Sequence, residues 1–168
     1  MIRMNALREI YLLLGLRDIQ THLQSGNVVF RAEGRTVNQL AARIENAIEQ
    51  AAGFRPAVII RTPAELRDAI ARNPFAGRKG LDPSKLLVSF LASDPHPDAH
   101  EKLAALPSVP EEVHLNGREL YIYFPNGMGR PKLKLPLVDK ALMTPATGRN
   151  WNTVTKLLEI AEKLETTA

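Results

Sequence analysis

Hydrophobic and polar positions recur along this chain with two periods, and each change of period marks an element. Met4, Leu7, Ile10, Tyr11 and Leu14 fall at the three-and-four spacing of one helical face, with Gly15 as a C-terminal stop. From Asp18 to Gln24 the period drops to two, with Ile19, Thr21 and Leu23 set against Gln20, His22 and Gln24, and Asn27 to Arg31 brings Val28, Val29 and Phe30. Ser25-Gly26-Asn27 offers the positive-φ residues of a tight turn, so the two runs predict a β-hairpin. Helical spacing returns at Leu40, Ile44, Ala47, Ile48 and Ala51, capped by Thr36 or Asn38 and closed by Gly53. Ala57 to Arg61 reads as a short apolar strand. Thr62-Pro63 with Glu65 then opens a third helix that runs through Ile70.

Residues 4 to 61 therefore read helix, strand, strand, helix, strand, which one further strand in front would convert to the βαββαβ order of a ferredoxin-like unit. Asn73 to Ser84, with Pro74, Gly77, Gly80 and Pro83, is the segment richest in turn residues. Beyond it come a buried strand at Leu86 to Leu91, a helix at Pro97 to Leu106, and strands at Glu112 to Leu115 and Glu119 to Phe124 about an Asn116-Gly117 turn. A short helix follows near Leu135 to Leu142. A longer one at Asn150 to Leu164 sets Trp151, Val154, Leu157, Leu158, Ala161 and Leu164 on one face, so Trp151 reads as a core anchor and Asn150 as the cap. The expected class is α+β: two linked ferredoxin-like subdomains, 1–73 and 85–168, joined by a linker at 74–84. The first lacks an initial strand, and the second ends in a helical tail.

Composition narrows the function classes. The 168 residues contain no cysteine, which excludes disulfides, zinc thiolates and thiol catalysis and suits a reducing cytoplasm. No apolar run approaches the roughly 18 residues of a membrane span, and charges interrupt the N-terminus where a signal peptide would have its apolar core. A cytoplasmic protein with no membrane partner is expected. Charge is uneven: 22 Lys and Arg against 18 Asp and Glu make a formal +4, yet Arg118 to Lys156 holds 7 cations against 2 anions. The rest of the chain holds 15 against 16, so the whole basic excess lies in that stretch and forms a basic patch suited to phosphates or acidic partners.

That stretch also concentrates the special residues. Gly127-Met128-Gly129-Arg130 follows a strand, as phosphate loops do, but matches neither the Walker pattern nor the dinucleotide fingerprint, and Pro131 interrupts the geometry; a plain positive-φ turn is the alternative. Arg130, Lys132, Lys134 and Arg149 would form an anion site if the two motifs converge, and scattered surface cations if they do not. Asn152, Thr153 and Lys156 would flank the first turns of the last helix, where backbone N–H groups favour an anion. His96 and His100 stand four apart, but Pro97 places His96 outside the helix, so no metal site is expected. His22 and His114 have no local partner, and Ser25 lacks the glycine-serine-glycine elbow of hydrolases. No catalytic triad or paired-carboxylate motif is visible and no cofactor is implied.

The segments Gln24-Ser25-Gly26-Asn27-Val28-Val29-Phe30, Asn73-Pro74-Phe75, Phe124 to Leu133 and Arg149-Asn150-Trp151-Asn152-Thr153-Val154 resemble the bacterial family known as domain of unknown function 1697. The resemblance implies an α+β fold of two linked subdomains, a strand and a glycine-bearing loop ahead of the first helix, and no established activity. This chain starts at the helix, so the resemblance implies a shortened start or a strand supplied by a partner, with a homodimer if it is supplied in trans. Pro131 stands where the family has a serine, and Gly148 where a bulkier residue is common, which weakens a phosphate site here.

The expected function is a binding module for an anionic ligand, phosphate-bearing or nucleic acid. Its residues are Gly127, Gly129, Arg130, Lys132, Arg149, Asn150, Asn152 and Thr153, with Tyr121, Tyr123 and Phe124 as a partial base-stacking platform. Two alternatives stand beside it. One is an enzyme acting on a small phosphorylated or acidic metabolite held by Arg130 and Arg149; the other is an assembly protein completed by a neighbour's strand.

Overall fold

The computed structural model describes residues 2–22, 26–34 and 36–166. Leu23, Gln24 and Ser25 lie outside these, and with them the end of the first expected hairpin run, the first residue of its turn and the reading of Ser25. The chain is α+β and forms two compact units, Met1–Pro63 with Lys156–Ala168, and Ala64–Thr155.

In the first unit, helix α1 (Met4–Leu13) leads into an antiparallel pair, β1 (Arg17–His22) and β2 (Asn27–Arg31), followed by helix α2 (Val37–Ala52). Thr36 Oγ1 accepts the Gln39 N–H as the N-cap, and Gly53 closes α2 at φ +78°, a left-handed conformation that a Cβ would disfavour. Asn27, buried at the start of β2, donates its Nδ2 to the His22 carbonyl across the hairpin. The core is the helical stripe Leu7, Ile10 and Tyr11 against Leu40, Ile44 and Ile48, with Ile19 from the sheet. Burial of Tyr11 among these chains pushes its hydroxyl up to about 12.

The expected strand at Ala57 to Arg61 is corrected: residues 54–62 carry no regular secondary structure and join no ladder. Val58 and Ile60 still pack on the core, so the apolar run reports burial correctly. A strand, however, is defined by its hydrogen-bonded neighbour, and pairing is a long-range property that an apolar run alone does not supply.

The second unit begins with helix α3 (Pro63–Ala71, from Ala64 on) and a single 3-10 turn at Pro83–Lys85. Strand β3 (Leu86–Leu91), helix α4 (Ala99–Ala104), strands β4 (Glu112–Asn116) and β5 (Glu119–Tyr123), helix α5 (Leu135–Leu142), strand β6 (Ala146–Asn150) and the start of helix α6 (Trp151–Thr166) complete it. The sheet order is β4-β5-β3-β6 and every pairing is antiparallel. Two β-α-β crossovers thus interleave, each leaving a gap that the other's first strand fills, which is the ferredoxin-like arrangement. The segment expected as a linker, 74–84, belongs to this unit.

Each face of this sheet is covered. Leu120, Ile122, Phe124 and Leu91 pack with Val138 and Leu142 of α5 and with Leu133. The opposite face carries Val88 and Tyr121, which stand opposite each other, and it meets α3, where the Tyr121 hydroxyl donates to the Ala69 carbonyl. Phe75 lies edge-on to His114, ring centroids 5.1 Å apart, and 5.8 Å from Tyr123, with the Arg78 guanidinium over its ring. Asn73 Oδ1 accepts the Phe75 N–H and fixes the turn that delivers this ring. At the far side of α3, Arg72 donates to Asp68, to the Asn116 carbonyl and to buried Glu119, tying the helix to the β4–β5 hairpin.

Candidate functional site

Register places both motifs at one end of the second unit's sheet. Leu86 at the start of β3 stands opposite Tyr123 at the end of β5, and Leu87 stands opposite Asn150 at the end of β6. The loop 124–134 therefore leaves the sheet on one side of β3 and the turn into α6 leaves it on the other. Ser84 and Lys85 bridge them: Phe124 N–H donates to the Lys85 carbonyl, Lys85 Nζ reaches the Pro125 carbonyl at 3.2 Å, and Asn150 Nδ2 donates to the Ser84 carbonyl at 2.8 Å. Sequence reasoning misses Lys85. A lysine one position before an apolar strand carries no local signal, and only strand order brings it between the motifs.

Within the loop, Gly127 sits at φ +85° and donates its N–H to the Phe124 carbonyl, a reversal for which glycine is the low-cost residue. Gly129, Arg130, Lys132 and Lys134 are exposed, and among the described residues none of these three cations forms an ion pair. Leu133 between them is buried, its N–H donating to the buried Glu111 carboxylate. That one anchored residue obliges the flanking Lys132 and Lys134 to face water. Lys134 is then the N-cap of α5, which has no side-chain cap and no acid in its first turn. Asp82, just before the strand, accepts the N–H and hydroxyl of Ser84, which draws its carboxyl below the usual range.

On the other side, Asn150 caps α6: its Oδ1 accepts the Asn152 N–H at 2.9 Å while its amide nitrogen holds Ser84. Asn152 is exposed and Thr153 half-buried. Arg149 stands opposite Val88, so its side chain shares the face of Thr147, whose hydroxyl it contacts, together with the Gly148 carbonyl. Asn150 and Leu133 belong to the α5 side of the sheet, since Leu87, the partner of Asn150, packs against the α4–α5 cluster. Arg149 is half-buried, and desolvation lowers its pKa below the ordinary arginine value. The two motifs thus share a sheet end, while Arg149 lies on the face of the sheet opposite to the one on which Leu133 packs.

The aromatic platform does not exist. Tyr121, Tyr123 and Phe124 are 0%, 9% and 2% exposed, because α3 and Phe75 cover one face and α4 and α5 the other. Of the remaining basic residues, Arg118 is neutralised by Asp94 and Lys156 by Glu159. His96 accepts the Asp98 N–H through Nδ1, and no group of three metal-ligating side chains occurs among the described residues. Among those residues, too, no helix is long and apolar enough to cross a membrane.

The fold is matched by a solved structure, the conserved bacterial protein SP0830 from Streptococcus pneumoniae, at 16% identity and a TM-score of 0.76, over 96% of this chain and 90% of that one. No curated protein matches the sequence. The profile of the family described as "Protein of unknown function (DUF1697)" matches residues 1–121. That match ends before the 124–134 loop but spans most of both units, and the chain belongs to this family of unknown function.

Proposed function

We propose that the second unit binds a phosphate-bearing anion at the end of its sheet, with Arg130, Lys132 and Lys134 as the cations that meet it. One observation carries the reading: three cations within five residues, each without an ion pair among the described residues, lead into a helix N-terminus that has neither a side-chain cap nor an acid in its first turn. Like charges placed against the positive end of a helix dipole repel each other and the helix, and an anion in their midst relieves both. Gly127 and Gly129 supply a loop with no Cβ near the approach, since a methyl built on either meets nothing within 4 Å. Asn152 and Thr153 border the same sheet end from α6. Asn150 spends its side chain on the cap and on Ser84, so its part is positioning, and Arg149 braces β6.

Recognition here rests on charge, because Tyr121, Tyr123 and Phe124 are all buried and offer no ring for stacking. Titration of a labelled single-stranded oligonucleotide as a polyphosphate probe, at several salt concentrations and in competition with inorganic pyrophosphate, tests the reading. Affinity should fall steeply with salt, and Arg130→Glu with Lys132→Glu should flatten the log–log slope by about 0.7 for each phosphate that is no longer neutralised. Pyrophosphate that competes at low concentration marks a small phosphorylated ligand. Pyrophosphate that competes poorly marks a nucleic-acid backbone. Binding that ignores salt, or that survives the double reversal unchanged, sinks the proposal.

A further inference from the structure

A separate, largely open cavity of about 660 Å³ lies within the same unit, lined by Lys102, Leu106, Leu137, Lys140, Ala141 and Met143 from α4, α5 and the residues that follow them. That volume falls in the ordinary range for small-molecule sites. Four of its lining residues are apolar and two are lysines, one from each helix, and among the described residues neither Lys102 nor Lys140 forms an ion pair. The acids on the same helices are not part of the lining: Glu101 and Asp139 each sit one helical position, about 100°, away from a lining lysine. Met143 in the lining is 65% exposed and holds φ +55°, a left-handed C-cap usually given to glycine. Leu137, 37% exposed, continues the apolar wall.

We propose that this groove binds an amphipathic carboxylate, the anion of a medium-length acyl chain. Its head would lie between Lys102 and Lys140, and its tail over Leu106, Leu137, Ala141 and Met143. The two charged lining residues are of one sign and the other four are apolar, which matches a ligand with one anionic end and an otherwise apolar body. The α4 wall is one six-residue helix, about 9 Å long, too short to seat two turns of a partner helix. The charge pairs fix the sign of the head group, and burial of the chain supplies most of the affinity.

Calorimetric titration of the full chain with sodium dodecanoate, below its micelle-forming concentration, reads this directly. One saturable site is expected, with dodecanoate favoured at least about tenfold over dodecyltrimethylammonium, whose chain is the same and whose charge is reversed. Lys102→Glu with Lys140→Glu, folding checked by circular dichroism, should remove that preference. Absence of saturable binding overturns the proposal. Equal binding of the two head groups does so as well, on unaltered protein and so independently of how the variant folds. An anion preference that persists in the folded double variant places the ligand elsewhere and equally overturns it.

Discussion

Tyr121→Phe isolates the role of a hydroxyl that the fold assigns to α3. The ring is fully buried, so its shape is retained in the variant and no cavity opens. What is lost is the bond to the Ala69 carbonyl, one of the last four carbonyls of α3, which have no partner within the helix. The neighbouring carbonyls of Asp68 and Ile70 are taken by the N–H groups of Arg72 and Asn73, which leaves Ala69 to Tyr121. Ala69 itself is 1% exposed, so water does not substitute readily. An orphaned buried carbonyl costs about 1–3 kcal/mol, and with a urea slope of about 2 kcal/mol per molar the unfolding midpoint should fall by roughly 0.5–1.5 M. Tyr123→Phe is the control. Its oxygen accepts the Asp82 N–H at 3.2 Å in a partly buried setting, and its loss should cost no more than about 1 kcal/mol. Oligonucleotide affinity should be unchanged in both. A midpoint for Tyr121→Phe within about 0.2 M of the parent, or a larger effect at Tyr123, refutes the reasoning.

Arg72→Met should destabilise the second unit by about 1–3 kcal/mol in the same assay, since it strips an ionic partner from buried Glu119 and frees the Asn116 carbonyl. Gly148→Val should weaken the β6 edge, because its Cβ would come within 3.1 Å of Leu87 Cδ2; slower exchange of β6 amides than in the parent would contradict this. The Arg78 fork holds the Glu112 carboxyl below 4.5, so that pair stabilises the fold above the unfolded value and is lost as pH falls through the depressed one. The loss of urea resistance below about pH 4.5 should therefore be shallower in Glu112→Gln. Burial raises Tyr11 and Tyr121 from 10.0 to about 12, so their contribution is whole below pH 10 and disappears as pH climbs toward 12. Phenolate absorbance of the folded protein should lag behind that of the urea-unfolded chain over this window.

Local patterning alone was enough for most elements. The stripes that become α1, α2 and α5, the stop at Gly53, the Asn116-Gly117 turn and the Asn150 cap are decided by interactions within a few residues, and these the amino-acid order carries directly. Pairing was decided elsewhere. Ala57 to Arg61 has the apolar run of a buried strand yet joins no ladder, while Ala146–Asn150, polar and glycine-bearing, becomes β6 because β3 presents an edge to it. The same holds for the site. Cations and glycines between Asn126 and Thr153 stand out in the chain, but which of them meet depends on register: β5 and β6 bring both motifs to one sheet end, add Lys85 between them, and turn Arg149 to the other face. Burial of Tyr121 and Tyr123 was equally hidden, since alternation in a strand shows which residues share a face, and only the elements packed on that face show whether water reaches it.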